Sequence, residues 1–152
     1  MGASSQLSQI PATLLRSASF QTERVRRRLR EEVDTELTRY GLTLREYWVL
    51  VCLVEEDGTS QVTVAQKLGI DPSDLVNLID SLEEKKFVQR EPDPTDRRRR
   101  ILYCTTEGRA AEPELSAAVR QAEERALDDS KAKQRKHLRK LAKAVIRGEQ
   151  DA

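Results

Sequence analysis

Aromatic side chains are scarce in this chain: one Trp, three Tyr and two Phe, 4% of 152 residues. So few rings do not build an aromatic β-sandwich. With 35% charged residues and a mean hydropathy of −0.67, the composition fits a soluble, helix-rich protein built on Leu, Val and Ala. Two cysteines, Cys52 and Cys104, are too few and too deep in apolar sequence for a disulfide framework. A single histidine, His137, and two distant thiols give no zinc-ligand spacing. There is no phosphate-cradling glycine loop, and no Ser or Cys nucleophile has a His close by in sequence. The expectation is a protein without metal or cofactor that is not an enzyme.

No apolar run is long enough to span a bilayer, and the N-terminus lacks a basic region followed by an apolar core. The expected location is therefore the cytoplasm, with no membrane partner. An excess of one charge is also missing. The 27 Lys+Arg against 26 Asp+Glu leave a formal +1, so only clustering of charge can argue for nucleic acid. The densest cluster is Arg97, Arg98, Arg99 and Arg100. A second run, Arg24 to Arg30, shares its helix with Glu23, Glu31 and Glu32 and reads as a solvated, self-pairing face.

What the chain does have is helical periodicity with clear stops. Residues up to about Ser8 are polar and read as frayed. From Ile10 to Tyr40, Val25, Leu29, Val33 and Leu37 recur every fourth residue until Gly41. Thr43-Leu44-Arg45-Glu46 is a capping box with Leu42 and Tyr47 as its staple, opening a helix to the Asp57-Gly58 turn. A short helix from about Gln61 to Leu68 places Val64, Ala65 and Leu68 inward and ends at Gly69. Asp71 as N-cap, Pro72 at N1 and Asp74 as the box partner at N3 then open a helix with Leu75, Leu78, Ile79 and Leu82 on one face. A hairpin follows, its charged turn Glu91 to Asp96 running into the four arginines. Thr105 or Thr106 opens another helix to about Asp129, which Pro113 is placed to kink. Ser130 opens a last one, with Leu138, Leu141, Ala142 and Val145 on one face before Gly148.

That order gives a mainly α (α+β) fold: a winged helix-turn-helix core over 42–108, flanked by helices at 9–40 and 109–148, all in a single domain spanning 1–152. A compact winged helix does not need the flanking helices. Their apolar stripes must be covered, and the expected cover is a second copy of the chain. A twofold dimer sets two reading helices about one DNA turn apart, roughly 34–36 Å, suited to a pseudo-palindromic operator on double-stranded DNA.

The residues resemble the MarR family of bacterial dimeric transcriptional regulators over nearly the whole chain. The matching pieces are Tyr40-Gly41-Leu42-Thr43, Val64 to Gly69, and Leu78 to Glu83 with Lys85. The most specific are Asp93-Pro94-Thr95-Asp96-Arg97-Arg98 and Thr105-Thr106-Glu107-Gly108-Arg109. The resemblance implies a homodimeric regulator, usually a repressor, released by a small aromatic or lipophilic effector. It puts Arg98 in the minor groove, beside Asp96, where an arginine senses groove width and potential. It also implies that Asp71 holds a wing arginine. Arg97, Arg99 and Arg100 then meet phosphates and make binding steeply salt-dependent. Ser73, Val76 and Asn77 face outward at the start of the reading helix, where Asn holds adenine and Val touches a thymine methyl. The family often has Thr near 74 and Arg near 77, so Asp74 and Asn77 are departures. Effector candidates are Arg16, Phe20, Tyr47, Trp48 and Val51, a cation with aromatic walls, set against plain core packing. Two rival readings stay open: a redox-switched regulator working through Cys52 or Cys104, and a winged helix used only for protein–protein assembly.

Overall fold

The protein is seen in a computed structural model, in which residues 9–152 are described; the fraying expected up to Ser8 lies outside the described residues. It divides into two compact units, one formed by Val33–Gln121 and the other by both chain ends, up to Glu32 and from Ala122 onward. Both divisions fall inside helices.

In the central unit, α2 (Ala18–Thr38) contributes its last turns, with Val33 and Leu37 buried. Gly41, at φ +70°, reverses the chain. Thr43 then caps α3 (Leu44–Glu55) through the expected box: Thr43 Oγ1 accepts from Glu46 N at 3.2 Å, and Thr43 N donates to Glu46 Oε1 at 3.1 Å. A strand without a signature in the sequence, β1 (Thr59–Ser60), comes next. Its two residues are too few for any alternation to show, and it forms by pairing Thr59 with Leu102 and Ser60 with Ile101. Helix α4 (Gln61–Leu68) has Ser60 as N-cap and ends at Gly69 in the left-handed region, φ +62°. Helix α5 (Pro72–Glu84) buries Leu75, Ile79 and Leu82; Leu78 is only half-buried.

The hairpin is β2 (Val88–Pro92) against β3 (Arg100–Cys104), antiparallel in a register running from Val88↔Cys104 to Pro92↔Arg100. The sheet order is β1-β3-β2, so β3 is central and its Leu102 is fully buried. Around it pack Leu37, Val49, Leu50, Leu53, Val64, Leu75, Ile79 and Leu82, each no more than 1% exposed. Burying each such side chain contributes about 1.5–3 kcal/mol, so this small sheet and its helices hold a core of their own.

The other unit is built differently. The first helical stretch is not continuous: α1 (Ala12–Leu15) ends at Arg16, and α2 starts at Ala18. Gln21 Nε2, donating to Leu15 O at 2.6 Å, holds the bend between them. The arginine run pairs on its own helix where Arg26 meets Glu23 at 3.6 Å, but Arg28 meets Asp129 at 2.7 Å and Glu32 takes Arg125 at 3.7 Å, both from distant parts of the chain. Helix α6 (Thr106–Ala126) runs unbroken through Pro113. The last helix, α7 (Ala132–Asp151), departs from expectation at both ends. Ser130 closes the preceding turn, with Gln134 Oε1 taking the Lys131 N–H at 2.7 Å, and Gly148 lies within the helix. None of its residues is buried: Leu141 is 60% exposed, Val145 56% and Ile146 52%.

Candidate nucleic-acid interface

The turn between β2 and β3 is organised by two aspartates acting on their own backbone. Asp93 Oδ1 accepts from Thr95 N at 2.9 Å and from Thr95 Oγ1 at 2.8 Å, and those bonds hold its carboxyl below the ordinary range. Asp96 repeats the device, accepting from Arg98 N at 3.1 Å, and Asp93 N closes the loop on Arg99 O at 3.0 Å. The two carboxylates therefore shape the loop rather than neutralise it. Among the described residues, none of Arg97, Arg98, Arg99 or Arg100 stands within ion-pair distance of a carboxylate, and all four are exposed. Arg98, Arg99 and Arg100 line one side of a groove of about 120 Å³, and Ser60, Gln61 and Val62 at the start of α4 line the other. Arg99 Nη2 reaches Ser60 Oγ at 3.5 Å across it.

The base of the hairpin explains the Thr-x-x-Gly-Arg pattern. Thr105 Oγ1 donates to Lys86 O at 2.6 Å and accepts from Gly108 N at 3.0 Å, so one hydroxyl caps α6 and ties down the turn before β2. A Cβ at residue 108 would run into the Phe87 carbonyl oxygen and stand 2.9 Å from Cys104 Sγ, so only glycine fits. Arg109 donates to Asp57 Oδ2 at 2.9 Å, and Asp57 Oδ1 accepts from Cys104 N at 2.9 Å. The Asp57–Arg109 clamp escaped the sequence reading, because 52 residues separate partners that β1 and β3 bring together.

Helix α5 is fixed from two sides. Glu46, only 4% exposed, receives Ser81 Oγ at 3.0 Å and Lys85 Nζ at 2.9 Å, besides the cap bond from Thr43 N. Burial pushes its pKa up, but these bonds outweigh burial and leave the carboxyl below its usual value. From the hairpin side, Arg90 pairs with Asp80 and with Glu83, the latter at 3.0 Å. Asp71 caps α5 by accepting from Ser73 N at 2.9 Å and Ser73 Oγ at 2.5 Å. That corrects two expectations. Asp71 holds Ser73 and, among the described residues, no wing arginine. The Asp74 carboxylate does not return to the cap but lies 3.8 Å from Arg45. Ser73, Asp74, Val76 and Asn77 are all exposed, and α5 contains no Lys or Arg.

Known proteins place this geometry. The MarR family model matches residues 40–99, from the turn before α3 to Arg99 of the wing. The transcriptional repressor Rv2887 of Mycobacterium tuberculosis is 30% identical over 113 residues, covering 74% of this chain and 81% of that protein. The chain belongs to the MarR family. A putative transcriptional regulatory protein for the hcr operon of Thauera aromatica is 34% identical over 90 residues, 59% of this chain. This match spans only about half the length of that relative (54%). Among solved structures, CouR from Rhodococcus jostii RHA1 bound to p-coumaroyl-CoA superposes with a TM-score of 0.77 at 29% identity, over 89% of this chain and 95% of that one. The Rv2887 complex with DNA superposes at 0.72 with 26% identity, over 85% and 97%. The winged-helix fold and the regulator family are thus shown, and the relatives are regulators rather than enzymes.

The MarR effector candidates are split between the two units. Arg16 is the C-cap of α1, and Phe20 has the Arg24 guanidinium 5.7 Å above its ring. Tyr47, Trp48 and Val51 sit together on α3, where Tyr47 Oη bonds to Ser116 Oγ at 2.8 Å and Trp48 is 39% exposed. Burial raises both thiols above their ordinary value. It outweighs Lys67 at Cys52, which is half-buried, and Arg109 at Cys104, which is buried. A raised thiol is the opposite of the lowered one a peroxide sensor needs. No helix among the described residues is long and apolar enough to cross a membrane, and they contain no metal-binding group of His, Cys, Asp and Glu.

Proposed function

We propose that the protein is a homodimeric transcriptional repressor that grips a pseudo-palindromic DNA operator and is released by a small aromatic or lipophilic effector. One observation carries the DNA reading. Among the described residues, four consecutive arginines stand without a carboxylate partner, on a turn whose own aspartates bond to the backbone. Charge left free on a preformed loop has little to gain within the chain and much to gain at phosphates and in a narrow minor groove. The same observation weighs against a protein-assembly module. The named function of Rv2887 and its structure with DNA support the reading.

The dimer is supported by α7, whose Leu141, Val145 and Ile146 form a stripe more than half exposed. A single subunit would leave this apolar surface in water. The effector is supported by the CouR structure, which holds an aromatic acyl-CoA, and by the exposed Trp48 beside Val51. The raised thiols favour such a ligand over an oxidant.

Arg98→Ala tests the core of the proposal. We expect operator affinity to fall at least 30-fold, about 2 kcal/mol or more, with sedimentation still reporting a dimer. An unchanged gel shift would remove the wing from the mechanism.

A further inference from the structure

Helix α5 presents an unusual chemistry to the groove. Ser73, Asp74, Val76 and Asn77 are exposed on its outward side, within the first turns, where a reading helix meets base edges. Asp71 already fills the cap, so the Asp74 carboxylate is left outside it. The one ionic partner of Asp74 among the described residues is Arg45, 3.8 Å away, and both side chains are about half exposed (58% and 47%). Helix α5 has no basic residue to offset a carboxylate facing phosphates. Placed there, Asp74 weakens DNA binding unless a base supplies a donor.

The major groove offers few such donors. Cytosine presents its N4 amino group alone, whereas adenine sets its amino group beside the N7 acceptor. Guanine shows only acceptors, and thymine an acceptor and a methyl. A carboxylate is matched by cytosine and repelled by guanine and thymine. An amide side chain such as Asn77 pairs instead with both adenine groups. We infer that Asp74 is a specificity residue that favours cytosine at one position of each half-site and rejects guanine and thymine by repulsion, with Arg45 steadying its carboxylate. This rests on the DNA-binding reading above. It makes the wing the source of affinity and α5 a filter that lowers affinity for every wrong sequence.

The test is selection of duplexes from a random library by the full-length wild type, Asp74→Asn and Asp74→Ala at one salt concentration. Each protein is then titrated against random duplex. Asp74 is exposed, so all three fold, and circular dichroism checks that. We expect the wild type to select a cytosine whose replacement weakens binding roughly 5- to 100-fold. Asp74→Ala should lose that preference, keep the adenine preference, and bind random duplex several-fold more tightly. Asp74→Asn should exchange cytosine for adenine. Identical base preferences in wild type and Asp74→Ala would overturn the assignment while leaving DNA binding intact. A wild type that selects no duplex would overturn the DNA reading itself and, with it, this inference.

Discussion

The wing tip and the reading helix lie on the same unit and are held in place by opposite means. The wing turn is supported by its own residues. Asp93 and Asp96 bond to the backbone two residues on, and among the described residues none of the four arginines after them forms an ion pair. Helix α5 is supported by distant residues: Glu46 takes up Ser81 and Lys85, and Arg90 joins Asp80 to Glu83. The charge divides the same way, with four cations on the wing and none on α5. A locally held, strongly basic loop suits contacts made alike with any duplex. A rigidly placed helix with short polar side chains suits discrimination. On the proposed function, holding DNA falls to the wing and reading it to α5.

The largest effect should come from the seam that both regions share. Gly108→Ala places a methyl against the Phe87 carbonyl and 2.9 Å from Cys104 Sγ, with Leu50 Cδ1 at 3.2 Å. Backbone and two core side chains must all give way, at a cost of about 3 kcal/mol. Thermal melting should drop by roughly 10 °C or more, and DNA binding should fall with it. An unshifted melt would mean that the junction of β3 and α6 is looser than described.

Next is the anchor of α5 alone. Glu46→Gln removes the charge that holds Lys85 and should cost about 1–3 kcal/mol, while the wing turn keeps all its bonds. It also has a signature in pH. The folded-state pKa of Glu46 is lowered, because the bonds from Lys85, Thr43 and Ser81 outweigh burial. Its contribution is therefore complete above the ordinary carboxyl value of 4.5 and is lost as pH falls through the lower folded-state value. In Glu46→Gln that part of the acid dependence should vanish. Parallel acid-unfolding curves for wild type and variant would show that Glu46 is not a linchpin.

These two sites show what the sequence revealed and what it hid. Periodicity and caps gave α3, α4 and α5 because each is set by residues within a turn of its ends: Thr43 with Glu46, Ser60 with Thr63, Asp71 with Ser73. The hairpin was legible from its charged turn. Strand β1, the Asp57–Arg109 clamp and the Glu46–Ser81–Lys85 cluster were not, since each joins residues 35 or more apart. Glu46 reads as a cap in the sequence and is one, but its other oxygen does tertiary work that no spacing reveals. Asp74 was misplaced for a related reason. Its position three residues after the cap fits a box equally well whether or not the carboxylate turns back, and here it turns toward Arg45.

The smallest effect isolates the wing's self-support from its charge. Asp96 is exposed, and its bond to Arg98 N adds little to folding, so Asp96→Ala should leave the melt within about 1 kcal/mol of wild type. For DNA the substitution has two opposing consequences. It frees the Arg98 backbone, which must then be ordered on binding at about 0.5–1.5 kcal/mol, and it deletes a negative charge beside phosphates. Asp96→Asn separates them, because an asparagine oxygen still accepts from Arg98 N while the charge is gone. We expect Asp96→Asn to bind operator at least as well as wild type, and Asp96→Ala to bind about 3- to 10-fold more weakly than Asp96→Asn at the same salt. Equal affinities for the two variants would mean that the turn does not need its aspartate to present Arg98, and the contrast between a self-supported wing and a tertiary-anchored helix would lose its first half.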